Sequence, residues 1–257
     1  MRLGYVLRVS EYDASKATYA ITRQGDPRIA AAIERALGPA RTVLNVGAGA
    51  GSYESAAREV TAVEPSATMR AQRPEGAARA IDARAEALPF EDASFDAATA
   101  ILTVHHWDDL GRGLAELRRV ARGPVVVLTF DPDEADAFWL VRDYLPEIAT
   151  LDKGRIARLD FTATALGGRV EVERVPIPHD CRDGFLGAYW RRPELYLEPA
   201  VRPGISSFGG IDTDVLERGL AKLRNDLDSG AWLRRYGGLL SLEELDIGYR
   251  LLVSRPR

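Results

Sequence analysis

The chain has 257 residues, of which 46% are hydrophobic, so it can bury a sizeable core as one large domain or as one domain with an insertion. Its net charge of −4 at pH 7 lacks the basic surplus of a nucleic-acid surface, and we expect no nucleic-acid partner. A single cysteine, Cys181, excludes an internal disulfide framework and suits a reducing compartment. The N-terminal segment does not have the pattern of a signal peptide and no run has transmembrane length, so we expect a cytoplasmic protein without membrane contact.

Two helices are predicted before the first strand. Residues 10–24 form a polar, aromatic-rich helix candidate with Ser10 as its N-cap. The second helix begins at Asp26-Pro27, with Asp26 as N-cap and proline in the first position, and it runs to Leu37 with Gly38 just beyond its end.

The stretch from residue 42 to residue 65, TVLNVGAGAGSYESAAREVTAVEP, carries the strongest signal in the chain. Val43–Val46 predicts a buried strand, and a second apolar run, Val60–Val63, ends on the acid Glu64. Between them lie glycines at positions 47, 49 and 51 and a helix-compatible segment. A loop without Cβ atoms can press its backbone on a ligand, and glycine tolerates positive φ. The order strand, glycine loop, helix, strand and acid predicts a nucleotide-binding half-unit of a parallel sheet.

The rest of the chain continues the alternation of strands and helices and then becomes less regular. Strands are predicted at Ala78–Asp82, Phe95–Val104, Val125–Phe130, Arg169–Val175 and Glu244–Ser254. Helices are predicted after a cap at Asp108 or Asp109, at Glu134–Ile148, at Arg155–Leu166 and at Thr213–Leu227.

Three segments resemble one known family. VLNVGAGAG and AVEPSATM resemble motifs I and II of the class I S-adenosylmethionine (SAM)-dependent methyltransferases, of the small-molecule group called type 11, and ARAEALPFEDASFD resembles a further signature of that family. The resemblance implies a Rossmann-like α/β fold: a seven-stranded, mostly parallel sheet of order 3-2-1-4-5-7-6, with the last strand antiparallel and helices on both faces. The G-x-G-x-G spacing departs from the G-x-G-x-x-G of dinucleotide binders, and no Lys-Ser/Thr follows it to make a P-loop.

The resemblance also implies a division of the chain. Residues 1–175 would be the SAM-binding domain with N-terminal lid helices, residues 176–240 a substrate-cap insertion, and residues 241–257 the final strand that returns to the sheet. For the YWRRPE stretch of the insertion, the alternative is a helix packed on the edge of the sheet.

By the same resemblance, the cofactor lies at the carboxyl ends of the first strands. Glu64 would accept hydrogen bonds from the ribose hydroxyls, and Arg23 would face the SAM carboxylate, because a guanidinium suits a carboxylate; an ordinary surface helix is the alternative for Arg23. The expected cofactor-binding residues are Arg23, Gly47, Ala48, Gly49, Gly51, Glu64, Pro65, Met69, Ala85, Glu86 and Thr103. Asn45 stands where the family commonly has Asp, so weaker charge complementarity is expected there but not loss of binding. Arg84 stands where the family often has an Asp that contacts the adenine amino group, and a guanidinium cannot accept that hydrogen bond. For Met69, packing in the core is the alternative.

Methyl transfer depends on alignment and a dry site more than on acid–base groups. His106 follows the fourth predicted strand and is the candidate base, because an unperturbed pKa of about 6.5 lets an imidazole accept a proton at neutral pH; its alternative is an orienting or structural role. His105 is expected on the other side of an extended chain, where it would pack inward, and is also counted among the substrate contacts. The candidate substrate contacts are Tyr19, His105, Trp139, Tyr189, Trp190 and Arg191.

The predicted function is that of a SAM-dependent methyltransferase, an enzyme that moves a methyl group from SAM to O, N or C of a small organic acceptor and releases S-adenosylhomocysteine. A metal is not expected, because three histidines and one cysteine lack metal-site spacing. The alternatives are a SAM-binding, non-catalytic module or regulator and, disfavoured by the glycine spacing, an NAD(P)-dependent oxidoreductase. A monomer or a homodimer is expected.

Overall fold

The computed structural model describes residues 22–256. Most of the first predicted helix, with Ser10 and the candidate substrate contact Tyr19, lies outside the described residues. The strands are β1 Thr42–Val46, β2 Glu59–Val63, β3 Ala80–Ile81, β4 Ala97–Ile101, β5 Val125–Phe130, β6 Arg169–Arg174, β7 Ile177–Pro178, β8 Glu244–Leu245 and β9 Tyr249–Arg255. The α-helices are α1 Pro27–Leu37, α2 Ala67–Ala71, α3 Leu110–Val120, α4 Trp139–Asp143, α5 Pro146–Arg155, α6 Leu159–Leu166, α7 Thr213–Asp228 and α8 Ala231–Tyr236.

Seven strands form one sheet in the order β3-β2-β1-β4-β5-β9-β6. The five strands from β3 to β5 in this order pair in parallel, and β9 lies antiparallel between β5 and β6. Because β9 is the seventh strand to enter this sheet along the chain, the predicted order and the antiparallel last strand are confirmed. The parallel strands β1, β2, β4 and β5 end at one edge, where α/β sheets of this kind bind their ligands.

Helix α1, which is the second of the predicted helices, has the predicted bounds and the predicted caps. The Asp26 side chain accepts a hydrogen bond from the backbone N–H of Arg28, Pro27 takes the first helical position, and Gly38 follows the helix with φ of 57°. Helix α3 begins in the same way, because the Asp109 side chain accepts from the backbone N–H of Arg112.

Several elements differ from the sequence prediction. No helix lies between β1 and β2, where residues 47–58 form only turns. The predicted helix Glu134–Ile148 is instead a 3₁₀ turn at Pro132–Ala137, then α4, then α5. Pro146 takes the first position of α5, because proline inside a continuous helix would clash with the preceding turn. The predicted last strand is divided into β8 and β9, with Gly248 between them at φ of 101°.

The core consists of two clusters of buried side chains, one on each face of the sheet. On β5, Val126 and Leu128 belong to one cluster, and Val125 and Val127 belong to the other, as expected for side chains that alternate along a strand. The first cluster also contains aromatic residues of the insertion, namely Tyr189, Trp190, Tyr196 and Phe208. The insertion therefore shares one hydrophobic core with the sheet.

Candidate active site

A cavity of about 980 Å³ lies at the carboxyl ends of β1, β2, β4 and β5. One wall is formed by the glycine loop, by Glu64, by α2 and by residues 83–86. The opposite wall is formed by α4, α5, the insertion and the start of β9. The cavity is therefore lined on one side by predicted cofactor-binding residues and on the other by elements that carry no recognised sequence motif.

The glycine loop is tied to the end of β2. The backbone N–H groups of Gly47 and Ala48 both donate to the carbonyl oxygen of Val63, at 2.9 and 3.0 Å. Gly47 has φ of 68°, and a Cβ atom built on it would lie 2.1 Å from Oγ1 of Thr103. Gly47 thus meets two requirements that only glycine satisfies together: a left-handed backbone and contact with the segment after β4.

Glu64 is oriented by two backbone donors. Its Oε2 accepts from the N–H of Gly49 and its Oε1 accepts from the N–H of Ser66, both at 2.9 Å. Only 8% of Glu64 is exposed, and it lines the cavity. Each carboxylate oxygen has a second lone-pair direction, so the carboxylate can still accept hydrogen bonds from a pair of ligand hydroxyls.

A buried polar network lies beneath the glycine loop. The side-chain amide of Asn45 donates to Glu54 at 3.0 Å, and Glu54 forms an ion pair with Arg73 at 2.5 Å. Arg73 also donates to the carbonyl oxygen of Gly49 at 3.2 Å. The network accounts for the departure at position 45, because an Asp in place of Asn45 would set one carboxylate against another. Gly51 makes room for this network and, contrary to its predicted role, does not line the cavity.

Four more of the predicted cofactor-binding residues line the cavity. They are Pro65, Met69, Ala85 and Glu86. The Glu86 carboxylate accepts from the backbone N–H groups of Asp108 and Asp109, at 2.8 and 3.2 Å, and so fixes the segment before α3. Arg84 forms an ion pair with the exposed Asp108.

Arg23 lines the cavity and is bound to the insertion. Its Nε donates to Oδ1 of Asp183 at 2.5 Å, and the hydroxyl of Tyr53 donates to Oδ2 of the same residue at 2.9 Å. Asp183 is fully buried. Burial, reinforced by the negative charge of Asp183, raises the pKa of Tyr53, so the phenol keeps its proton. One insertion carboxylate thus connects the segment before α1 with the segment after the glycine loop.

His105 and His106 both line the cavity, and their ring centroids are 4.0 Å apart. The expectation of an extended chain here was wrong, because β4 ends at Ile101 and Val104–His106 form a 3₁₀ turn. Burial lowers the pKa of His105 well below its usual value, and electrostatic interactions with His106, Arg23 and Arg155 lower it further. His105 is therefore a neutral imidazole at neutral pH.

Four of the predicted substrate contacts do not line the cavity. Trp139 and Trp190 are buried in the first hydrophobic cluster, and the Trp139 indole donates to the carbonyl oxygen of Trp190 at 2.9 Å. Tyr189 packs in the same cluster, and Arg191 donates to the carbonyl oxygen of Leu242 at 2.7 Å. The large rings fill the core because each buries a large apolar area there. Of the substrate contacts predicted within the described residues, only His105 faces the cavity.

The structure adds cavity residues that the sequence analysis did not select. Thr129 and Phe130 end β5 and line the cavity, so the rule that selected Thr103 could have found them as well. Asp152 and Arg155 on α5 also line it. Asp152 falls between two predicted helices and Arg155 at the start of the second, so no pattern pointed to them.

Asp152 differs from the other buried acids of the cavity. Only 8% of it is exposed, and no group of residues 22–256 donates a hydrogen bond to its carboxylate. Burial raises its pKa to about 6, although the positive charge of Arg155 acts in the opposite direction.

Residues 22–256 contain neither a cluster of metal ligands nor a membrane-spanning helix. No three His, Cys, Asp or Glu side chains of this part of the chain come together as a metal site. No helix of the same part is long and apolar enough to cross a membrane.

Comparison with known proteins identifies the family. The model of the methyltransferase domain family matches residues 44–127, which run from β1 into β5. A solved structure, described as a putative methyltransferase from an antibiotic biosynthesis pathway of Anabaena variabilis, is 40% identical and has a TM-score of 0.85, with 91% of this chain and 98% of that chain covered. The chain therefore belongs to the SAM-dependent methyltransferase family.

Two curated relatives are malonyl-[acyl-carrier protein] O-methyltransferases. The enzyme of Pectobacterium atrosepticum is 30% identical over 187 residues, which are 69% of this chain and 66% of that enzyme. The enzyme of Pseudescherichia vulneris is 41% identical over 95 residues, which are 34% of this chain and 38% of that enzyme. The chain thus matches about two fifths of one relative's length and about two thirds of the other's.

Proposed function

We propose that this chain transfers the methyl group of SAM to O, N or C of a small organic acceptor held in the cavity, and that S-adenosylhomocysteine is released. The observation that carries the proposal is that the glycine loop and Glu64 face the same cavity as apolar side chains of α4 and α5. Membership of the methyltransferase family supports it. A soluble, cytoplasmic enzyme without a metal remains our expectation.

The residues around the glycine loop fit the cofactor. Glu64 would receive the ribose hydroxyls, since two backbone donors already fix its orientation. Met69 and Ala85 offer apolar surface to the adenine, and Thr103 lies where the segment after β4 contacts the loop. Arg23 would face the amino-acid carboxylate of the cofactor; its ion pair with Asp183 holds the guanidinium at the cavity wall. These roles are proposals made from position and chemistry.

When bound, SAM supplies an electrophilic methyl carbon, and the chain's task is to align an acceptor and exclude water. Phe138, Val141 and Leu151 give the acceptor side of the cavity an apolar wall. A lowered pKa makes His105 a weak base that can only orient an acceptor by hydrogen bonding. We therefore assign the base role, for acceptors that must lose a proton, to His106.

Calorimetry with SAM, S-adenosylhomocysteine and NADH tests the cofactor assignment. We expect heat of binding with the first two ligands and none with NADH. In a separate unfolding experiment, either bound ligand at 100 times its Kd should raise the free energy of unfolding by about 2.7 kcal/mol. Binding of NADH in place of SAM would contradict the assignment. Cofactor binding without transfer of labelled methyl groups to any member of a broad acceptor pool would favour the non-catalytic module.

The variant Gly47→Ala tests the role of the loop in the same experiment. We expect it to abolish measurable binding of S-adenosylhomocysteine, because the added Cβ meets Thr103 and the backbone has positive φ. Gly38→Ala is the matched control: Gly38 also has positive φ, but a Cβ there meets nothing within 4 Å. Wild-type affinity in Gly47→Ala would show that the loop does not hold the cofactor.

A further inference from the structure

Asp152 is an acid without a structural partner in the wall of the cavity. It lies on α5, next to Leu151, and it is 8% exposed. Arg155, one turn further along the helix, acts on it electrostatically, but no ion pair within 4.0 Å joins the two side chains. A buried carboxylate normally accepts hydrogen bonds or pairs with a cation, because leaving it unpaired costs free energy.

The wall of the same cavity contains a second polar side chain without a partner. Oγ1 of Thr129, at the end of β5, is buried and has no hydrogen-bond partner within residues 22–256, and this residue lines the same cavity. Burial raises the pKa of the Tyr249 phenol at the start of β9, and the negative charge of Asp152 adds to this shift. Unsatisfied polar atoms at the acceptor end of a largely apolar cavity are the arrangement expected of a site that is completed by its ligand.

We propose that Asp152 determines which acceptors this protein takes: it receives a hydrogen bond from an amine or a hydroxyl of the acceptor and disfavours acceptors that present a carboxylate. The proposal rests on the proposed function, because it assumes that the cavity holds an acceptor beside SAM. A carboxylate accepts a hydrogen bond from an ammonium or a hydroxyl group, and the bond from an ammonium is charge-assisted. A second carboxylate brought to the same desolvated place is repelled and finds no donor on Asp152.

The proposed acceptors differ from the acceptor that the names of the curated relatives give. Those enzymes are named for a malonyl group. A malonyl group presents a free carboxylate, whereas the acceptor side of this cavity presents a carboxylate of its own. We infer that amines and alcohols are the acceptor classes to screen first.

The test uses three small phenyl compounds that differ in their polar group: phenethylamine, phenethyl alcohol and phenylacetate. Their dissociation constants are measured by calorimetry on the full chain saturated with S-adenosylhomocysteine. We expect wild type to bind the amine about tenfold more tightly than phenylacetate, with the alcohol between them. In Asp152→Asn the ratio between amine and phenylacetate should fall to about threefold or less, because the neutral amide can both donate and accept.

Glu147→Gln is the matched control, since it removes one negative charge from an exposed position of the same helix and should keep the wild-type ratio. Three results overturn the proposal: phenylacetate binding wild type as tightly as the amine, Asp152→Asn keeping the wild-type ratio, or none of the probes binding wild type. Failure to bind S-adenosylhomocysteine would refute the proposed function instead, so the two failures are distinguished.

Discussion

Three buried carboxylates at or near the cavity differ in how many hydrogen bonds they accept. Asp183 and Glu64 are both buried, and each accepts at least two hydrogen bonds, Asp183 from side chains and Glu64 from backbone N–H groups. Asp152 is as buried as Glu64 and accepts none from residues 22–256. The first two carboxylates stabilise the cavity walls, whereas the third lowers the stability of the empty protein and is available to a ligand.

The raised pKa of Asp152 predicts how stability changes with pH. Between the ordinary value of 3.8 and about 6, the folded protein holds a proton on Asp152 that the unfolded chain does not. The contribution of Asp152 to the free energy of unfolding should therefore fall as the pH rises through this window and stay low above it. Asp152→Asn should be more stable than wild type at pH 8, and this advantage should shrink towards pH 4.

The measurement is urea unfolding of wild type and Asp152→Asn from pH 4 to pH 8. The difference between the two proteins isolates Asp152, because His105, whose depressed pKa makes stability fall as the pH drops, is present in both. Glu147→Gln serves again as the control. A variant less stable than wild type at pH 8 would mean that the carboxylate has a structural partner after all.

At the scale of elements, the connection between β1 and β2 is the unusual feature of this sheet. A parallel pair usually needs a long crossover, most often a helix, but here residues 47–58 form turns. The ion pair of Glu54 with Arg73 and the amide of Asn45 stabilise this connection from beneath. Because Arg73 also holds the carbonyl oxygen of Gly49, the network positions the loop that faces the cofactor.

Arg73→Met should therefore affect both stability and cofactor binding. Only 6% of the Arg73 side chain and 10% of the Glu54 side chain are exposed, so removing one partner should cost about 3 kcal/mol and weaken S-adenosylhomocysteine binding about tenfold. Adding Glu54→Gln should recover part of the stability, because no buried charge is then left unpaired. Arg35→Met, at an exposed pair with Glu173, should cost less than about 1 kcal/mol.

Urea unfolding and calorimetry measure these two effects. Arg73→Met with wild-type affinity for S-adenosylhomocysteine would show that the loop keeps its shape without the network.

At the scale of the whole molecule, the insertion and the sheet are held by the same core. Trp139 lies at its centre: its ring contacts those of Tyr196, Trp232 and Tyr236, and its indole donates to Trp190. All four of these partners lie in the insertion. The side of the cavity that the insertion forms is thus part of the main fold.

Trp139→Ala should destabilise the entire chain by about 3–5 kcal/mol, the usual cost of removing a buried Trp side chain. Unfolding in urea, followed by circular dichroism and by fluorescence, should stay a single transition, because the insertion has no core separate from that of the sheet. Leu233→Ala, at a position 56% exposed on α8, is the control and should change stability by less than about 0.5 kcal/mol. Two separate transitions would contradict a shared core.

The sequence by itself determined the sheet, helix α1 and the glycine loop with Glu64 that lines one side of the cavity. These features depend on local signals: apolar runs for β1 and β5, a capped helix from Pro27 to Leu37, and a glycine loop followed by an acid at Glu64. Each signal lies within a few residues of the element that it specifies, so that spacing and residue type were sufficient.

Only the tertiary structure decided which residues form the other side of the cavity, at α4, α5 and the insertion. Trp139 and Trp190 have the composition of ligand contacts, but burial in a shared core places them away from the cavity. Asp152 has no pattern around it, yet packing sets it in the cavity wall without a partner. Whether an aromatic ring or a carboxylate faces a ligand or the core depends on contacts between segments far apart in the chain, and no local pattern in the sequence records those contacts.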